Sequence, residues 1–214
     1  MGFFILTNME DFQNKPNCLV IAHLGNKTKK SQRWSYSIVE WFGIFTAKII
    51  LKNTYKKMIV CNAKSASITE IKREVELLPQ HESLDIILNV HGLKTGIFLF
   101  ENEFIPISTF CELFKQHNLR LVYSTACYGK YHLQEWMYVN AKSAIGAEAV
   151  NGNAISEYPY FLYSWKMGLT SKMALQKASF YQLNRFQDSL ARKAFGFKDV
   201  DSSKTISGNI SILE

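Results

Sequence analysis

Strand-like and helix-like segments alternate along this chain, and that alternation restricts its fold more than any other feature of the sequence. The apolar run 17–24 (NCLVIAHL) is followed by a long periodic segment, 34–52 (WSYSIVEWFGIFTAKIILK), and by a second apolar run, 56–63 (KKMIVCNA). Short apolar runs read as buried strands and the long one as a helix, so the stretch is a βαβ unit. Ser67 and Glu70 form a capping-box signature before a helix whose apolar face holds Ile71, Val75 and Leu78, and Pro79 ends it. A third strand is expected at 84–90 (LDIILNV). GIFLF and EFIPI then read as a small hairpin, with Pro106 confining the second arm to an edge. Thr109 and Glu112 predict a capped helix through Gln116, and 119–125 (LRLVYST) a fourth strand. A helix over 132–140 leads to a fifth strand at 143–150 (SAIGAEAV). Pro159 marks the first turn of another helix, Thr170 caps one running to Ala194, and 204–213 makes a last strand.

Strands alternating with helices imply a mostly parallel sheet covered on both faces. The expectation is α/β, a three-layer sandwich with a central sheet of about six strands and helices on both faces. Residues 1–214 are expected to form a single domain, since 47% hydrophobic residues supply one substantial core at this length. The four cysteines, at 18, 61, 111 and 127, show no CxxC pair and no even spacing, which argues against a disulfide scaffold and a zinc site. A reducing, cytoplasmic compartment fits them best. The opening MGFFILTNMEDF has no basic residue before its apolar run and reads poorly as a signal peptide. Lys48 and Lys52 interrupt the best candidate for a membrane span, so no membrane partner is expected.

The formal charge of +7 is concentrated in 24–57, where Lys27, Lys29, Lys30, Arg33, Lys48, Lys52, Lys56 and Lys57 stand against Glu40 alone. Such a cluster is a solvated face, a pocket for acidic ligands or a phosphate footprint. Nucleic acid is not expected as a partner, because no DNA- or RNA-binding motif accompanies it. HLGNKTKK matches neither a phosphate loop nor GxGxxG, and GxSxG is missing.

In open parallel sheets, functional groups collect beyond the carboxyl ends of the strands. Two strands here run into chemically suggestive residues, His91-Gly92 and Ala126-Cys127-Tyr128-Gly129. Paired strands lie about 5 Å apart, so if these two are neighbours, a thiol and an imidazole share one crevice. That is the minimum equipment for cysteine-dependent acyl transfer. Gly92 and Gly129 let backbone approach a substrate closely. The bland readings stand beside this one: Cys127 as a core thiol, His91 as a structural histidine. His23 is a weaker candidate at the same edge, His81, His117 and His132 are read as lying in polar or surface segments, and Cys18, Cys61 and Cys111 as core.

A hydrophobic strand ending in His-Gly, a hairpin with a helix after it, and a second strand ending in Ala-Cys-x-Gly resemble the caspase-like cysteine peptidases of clan CD. The resemblance covers 17–178 and includes SAIGAEAVNGNAISEYPYFLYSWKMGLTSKMALQKA, which is similar to the stretch after the nucleophile in bacterial members. It implies that Cys127 is the nucleophile, that His91 polarises the scissile peptide or protonates its leaving group, and that the backbone amides of Gly92 and Cys127 form an oxyanion hole. It implies a protein or peptide substrate and no obligatory cofactor, calcium being required only by some relatives. The family's Gln-Ala-Cys-Arg-Gly is absent, with Thr125 and Tyr128 in place of Gln and Arg. Substrate contacts are therefore expected from Arg33, which suits an acidic residue, Glu148, which suits a basic one, and Thr125. A catalytically silent module of the same fold that binds an acidic protein or nucleic acid through its basic face is the alternative. Dimerisation through a sheet edge and delivery to another cell stay open.

Overall fold

A computed structural model describes residues 15–25, 33–152, 156–179 and 181–213, although not the side chains of residues 33, 181–184, 194 and 195. The elements in chain order are β1 (Asn17–His23), α1 (Arg33–Ile50), β2 (Lys57–Asn62), α2 (Ile68–Glu76), β3 (Ser83–Leu93), β4 (Gly96–Phe98), β5 (Phe104–Pro106), α3 (Ile107–Glu112), β6 (Asn118–Ser124), α4 (Leu133–Tyr138), β7 (Ser143–Ala147), α5 (Glu157–Lys166), α6 (Ser171–Ala178), α7 (Tyr181–Phe195) and β8 (Lys204–Gly208). The main sheet has the order β2-β1-β3-β6-β7-β8. Its first five strands are mutually parallel, and β8 closes the edge antiparallel to β7.

Alternate residues of the central strands feed two separate cores, because successive side chains of a strand point to opposite faces. Leu19, Ile21, Ile86, Leu88 and Val122 pack with Ile71 and Val75 of α2, Phe110 of α3 and Trp136 of α4. Val20, Ile87, Leu121 and Tyr123 pack on the other side with Ala47 of α1, Phe161 and Trp165 of α5, and Ala174 of α6. This is the three-layer arrangement expected from the sequence. At the amino ends of β3 and β6, the fully buried Asp85 receives both guanidinium arms of Arg120, at 3.1 Å each, and the Tyr55 hydroxyl at 2.8 Å. That pair holds the two central strands at the edge remote from His91 and Cys127.

Several boundaries differ from the sequence reading for local reasons. β3 runs on to Leu93, because β4 provides an antiparallel partner for His91, Gly92 and Leu93 after the pairing with β6 has ended at Leu88. The hairpin's second arm, β5, pairs only with β4, as Pro106 requires. α3 starts at Ile107 rather than at Thr109, since Pro106 (φ −54°) both ends β5 and leads into the helix. The expected helix 170–194 is two helices: Thr170 caps α6, whose backbone leaves the helical region at Ser179 (ψ 75°) before α7. β8 stops at Gly208, where φ of +77° turns the chain.

Candidate active site

β3 and β6 are neighbours and parallel, so both lead toward the same edge of the sheet. His91 lies three residues beyond the last β3–β6 pair, Leu88↔Ser124, and Cys127 three residues beyond its β6 partner. Between them the backbones touch. A Cβ on Gly92 would sit 2.6 Å from the Cys127 carbonyl oxygen and 2.9 Å from the Ala126 Cβ, distances real side chains do not tolerate. Glycine at 92 is therefore a packing requirement of the Cys127 turn.

The turn itself is constrained. Tyr128 takes a left-handed conformation (φ 58°), which costs a bulky residue about 1–3 kcal/mol and persists only where the surroundings enforce it. Its amide donates to the Ala149 carbonyl at 2.8 Å, and its hydroxyl to Asp199 Oδ2 at 3.0 Å. The Gly129 amide donates to the Ala126 carbonyl at 3.2 Å, and Gly129 backs directly onto Gly146 of β7. Cys127 is left at the apex, partly exposed. Burial pushes its thiol up, opposed by the backbone amides of Asn151 and of Cys127 itself and by the positive charge of Lys204. Lys204 is fully buried on Glu157 at 3.2 Å, and Glu157 also accepts from the Tyr123 hydroxyl at 3.1 Å. A fixed cation thus lies behind the nucleophile's position.

His91 is oriented by backbone. Its Nε2 lies 2.8 Å from the Leu24 carbonyl oxygen, which can only accept, so Nε2 carries the hydrogen and Nδ1 is the basic nitrogen of the neutral ring. Leu24 is held in turn, its amide donating to Glu40 Oε2 of α1 at 2.8 Å. Tyr36, also on α1, packs edge-on against the His91 ring with centroids 5.1 Å apart. Cys127's charge reaches Tyr36 as well: after burial, it is the second influence raising that phenol's pKa.

Of the expected substrate contacts, Thr125 is buried, its single hydroxyl hydrogen shared between Leu88 O and Asn89 Oδ1 at 3.2 and 3.1 Å, which ties the end of β6 to β3. Glu148 is bound to Lys130 at 2.5 Å and to the Thr205 hydroxyl, and Lys130 holds its carboxyl below the usual range. The Arg33 side chain and the basic run Lys27, Lys29 and Lys30 lie outside the described residues.

His132, expected on the surface, is 1% exposed: its Nε2 lies 2.7 Å from the Leu93 carbonyl and clamps the β3–β4 corner. His117 is likewise buried rather than in an open connection. His23 is buried edge-on against Phe100, and burial lowers its pKa. Cys18, Cys61 and Cys111 are core residues, with burial pushing the Cys61 thiol up to about 11. Leu24, Tyr36, Glu40, Asn151 and Lys204 were not singled out for this site from the sequence. Only Glu40 carried a signal, as the lone acid within a basic stretch.

Solved structures share this architecture. One is the Arg-specific cysteine proteinase gingipain R (RGPB), with a TM-score of 0.55 and 12% identity over 94% of this chain and 48% of that one. The chain has the caspase-like fold. A secreted C11 cysteine protease from Bacteroides thetaiotaomicron, in complex with an irreversible peptide inhibitor, shares the caspase-like fold at a TM-score of 0.54 and 10% identity, over 80% of this chain and 59% of that one. A complex of Porphyromonas gingivalis RgpB pro- and mature domains does so at 0.52 and 13%, over 95% and 49%. This chain spans about half to three-fifths of those chains' lengths. No protein-family model and no curated protein matches the sequence.

Proposed function

We propose that this chain is a cysteine endopeptidase acting through Cys127 and His91. The observation that carries the reading is the pairing of β3 with β6, which brings the His-Gly and Ala-Cys segments to one edge with Gly92 pressed onto the Cys127 backbone. In the proposed reaction, His91 Nδ1 takes the Cys127 thiol proton as Sγ attacks the scissile carbonyl carbon, and the carbonyl π electrons move to oxygen. The backbone amides of Gly92 and Cys127 are the proposed donors to that oxyanion. His91 Nδ1, protonated, gives its proton to the leaving amine as the C–N bond breaks, and a thioester remains on Sγ. Water then attacks the thioester, His91 takes its proton, and as the C–S bond breaks Sγ takes that proton from His91 and leaves as the free thiol.

Arg33, Thr125 and Glu148 are proposed as substrate contacts on unequal terms. Thr125 would act by holding β6 against β3, and a basic substrate side chain would have to displace Lys130 to reach Glu148. The test is digestion of a proteome-derived peptide library by the wild type and by Cys127→Ala, in which the wild type alone is expected to cut.

A further inference from the structure

Helix α1 is amphipathic in the reverse sense for a chain that stands alone. Its buried side carries small residues, Gly43, Thr46 and Ala47, which bring it close to the sheet. Five of its large apolar residues face solvent, Trp34, Ile38, Trp41, Phe45 and Ile49, at 75%, 41%, 60%, 46% and 55% exposed, while Phe42, Ile44 and Ile50 are half-buried. At about 100° per residue, these five fall in one stripe roughly 80° wide. Trp41 and Phe45 stack with centroids 4.9 Å apart, which makes the middle of the stripe a preformed aromatic ledge. Helix α5 packs beside α1 over the same core and adds exposed Tyr160 and Tyr163, with Met167 exposed just past its end.

The area is that of an interface. With each aromatic side chain supplying about 150–250 Å², the exposed part of the α1 stripe amounts to on the order of 600 Å², and α5 raises it to on the order of 900 Å². The largest apolar patch of a typical monomer is about 300–600 Å², whereas one side of a standard stable interface is about 800 Å².

The order of the stripe selects the occupant. We propose that this face joins two copies of the chain, with α1 packed antiparallel on α1 of the second copy about a two-fold axis near Trp41. In that arrangement Trp34 meets Ile49, Ile38 meets Phe45 and Trp41 meets its own counterpart, so every contact sets aromatic against aliphatic or tryptophan against tryptophan. A surface that complements itself in this way is what a two-fold interface requires. No exposed carboxylate stands on α1 or α5: Glu40 is bonded to the Leu24 amide and Glu157 is buried on Lys204. Lys48, at the stripe's margin, falls about 20 Å from its counterpart at 1.5 Å of rise per residue, well beyond the ~8 Å screening length, so like charges do not oppose the pairing.

Sedimentation of the purified full chain tests this. A dimer with a dissociation constant of about 10 μM or tighter is expected, and Trp41→Asp should weaken it by at least roughly 100-fold, since each dimer carries the substitution twice at its centre. Far-UV circular dichroism checks that the variant folds. Independently of that variant, Trp41→Cys in a Cys127→Ala background should form an intermolecular disulfide on oxidation, while Lys72→Cys on the opposite face should not. A wild type that stays monomeric at about 100 μM, a dimer indifferent to Trp41→Asp, or a monomer that binds phosphatidylserine-containing vesicles through this face would overturn the proposal.

Discussion

Replacing Arg120 with methionine should be among the most damaging single changes away from the candidate site. Its guanidinium makes two bonds of 3.1 Å to Asp85, which is 0% exposed, and a third of 3.2 Å to the Ile212 carbonyl. Burial already drives the Asp85 carboxyl up, and Arg120 is the chief group pulling it back. Without that cation, the carboxyl keeps only the Tyr55 hydroxyl among the side chains bonded to it. Breaking a buried ion pair from one side costs about 3–5 kcal/mol. At about 2–4 °C per kcal/mol for a chain of this size, the melting temperature should fall by about 6–20 °C. The double variant Asp85→Leu/Arg120→Met removes both charges and should recover much of the loss, keeping a deficit of about 1–3 kcal/mol because the Tyr55 hydroxyl hydrogen loses its acceptor. Urea and thermal unfolding followed by far-UV circular dichroism measure all three proteins. A single variant within about 1 kcal/mol of wild type, or a double variant no more stable than the single one, would refute the reasoning.

Alkylation of Cys127 by iodoacetamide should accelerate about tenfold per pH unit through pH 8.5, because burial raises the thiol's pKa and the thiolate is the reactive form; a plateau near pH 6–7 would mean a preformed ion pair with His91 instead. Gly92→Ala places a methyl group 2.6 Å from the Cys127 carbonyl oxygen, so peptidase kcat/KM should drop about 100-fold or more while far-UV circular dichroism stays native. Glu40→Leu frees the Leu24 amide and loosens the carbonyl that orients His91; kcat should fall about tenfold with KM little changed, and Glu40→Gln, which keeps an acceptor, should restore most of it.

The strands and their order of appearance were legible because β1, β3 and β6 are buried on both faces and read as unbroken apolar runs. His91 and Cys127 were legible for a related reason: each stands just beyond such a run, beside a glycine. The parts that were not legible depend on tertiary partners. Nothing local says that β4 extends β3 past His91, or that His132 is drawn inward by the Leu93 carbonyl. Leu24 acts through its backbone, which leaves no mark in a side-chain pattern. Lys204 lies far from Cys127 in sequence and reaches it only because β8 folds back along β7. The outward apolar face of α1 was hidden most completely, because its periodicity is the same whichever side the sheet lies on.

The central claim is peptide-bond cleavage by the Cys127 thiol, with His91 as its proton partner. The most direct measurement is the set of cut sites, read by mass spectrometry, when wild type, Cys127→Ala and His91→Ala are each incubated under reducing conditions with the same proteome-derived peptide library. Cleavage by the wild type, none by Cys127→Ala and at most a trace by His91→Ala is the predicted result. Equal cleavage by wild type and Cys127→Ala, or no cleavage by a wild type whose Cys127 is reduced and accessible to alkylation, would contradict it.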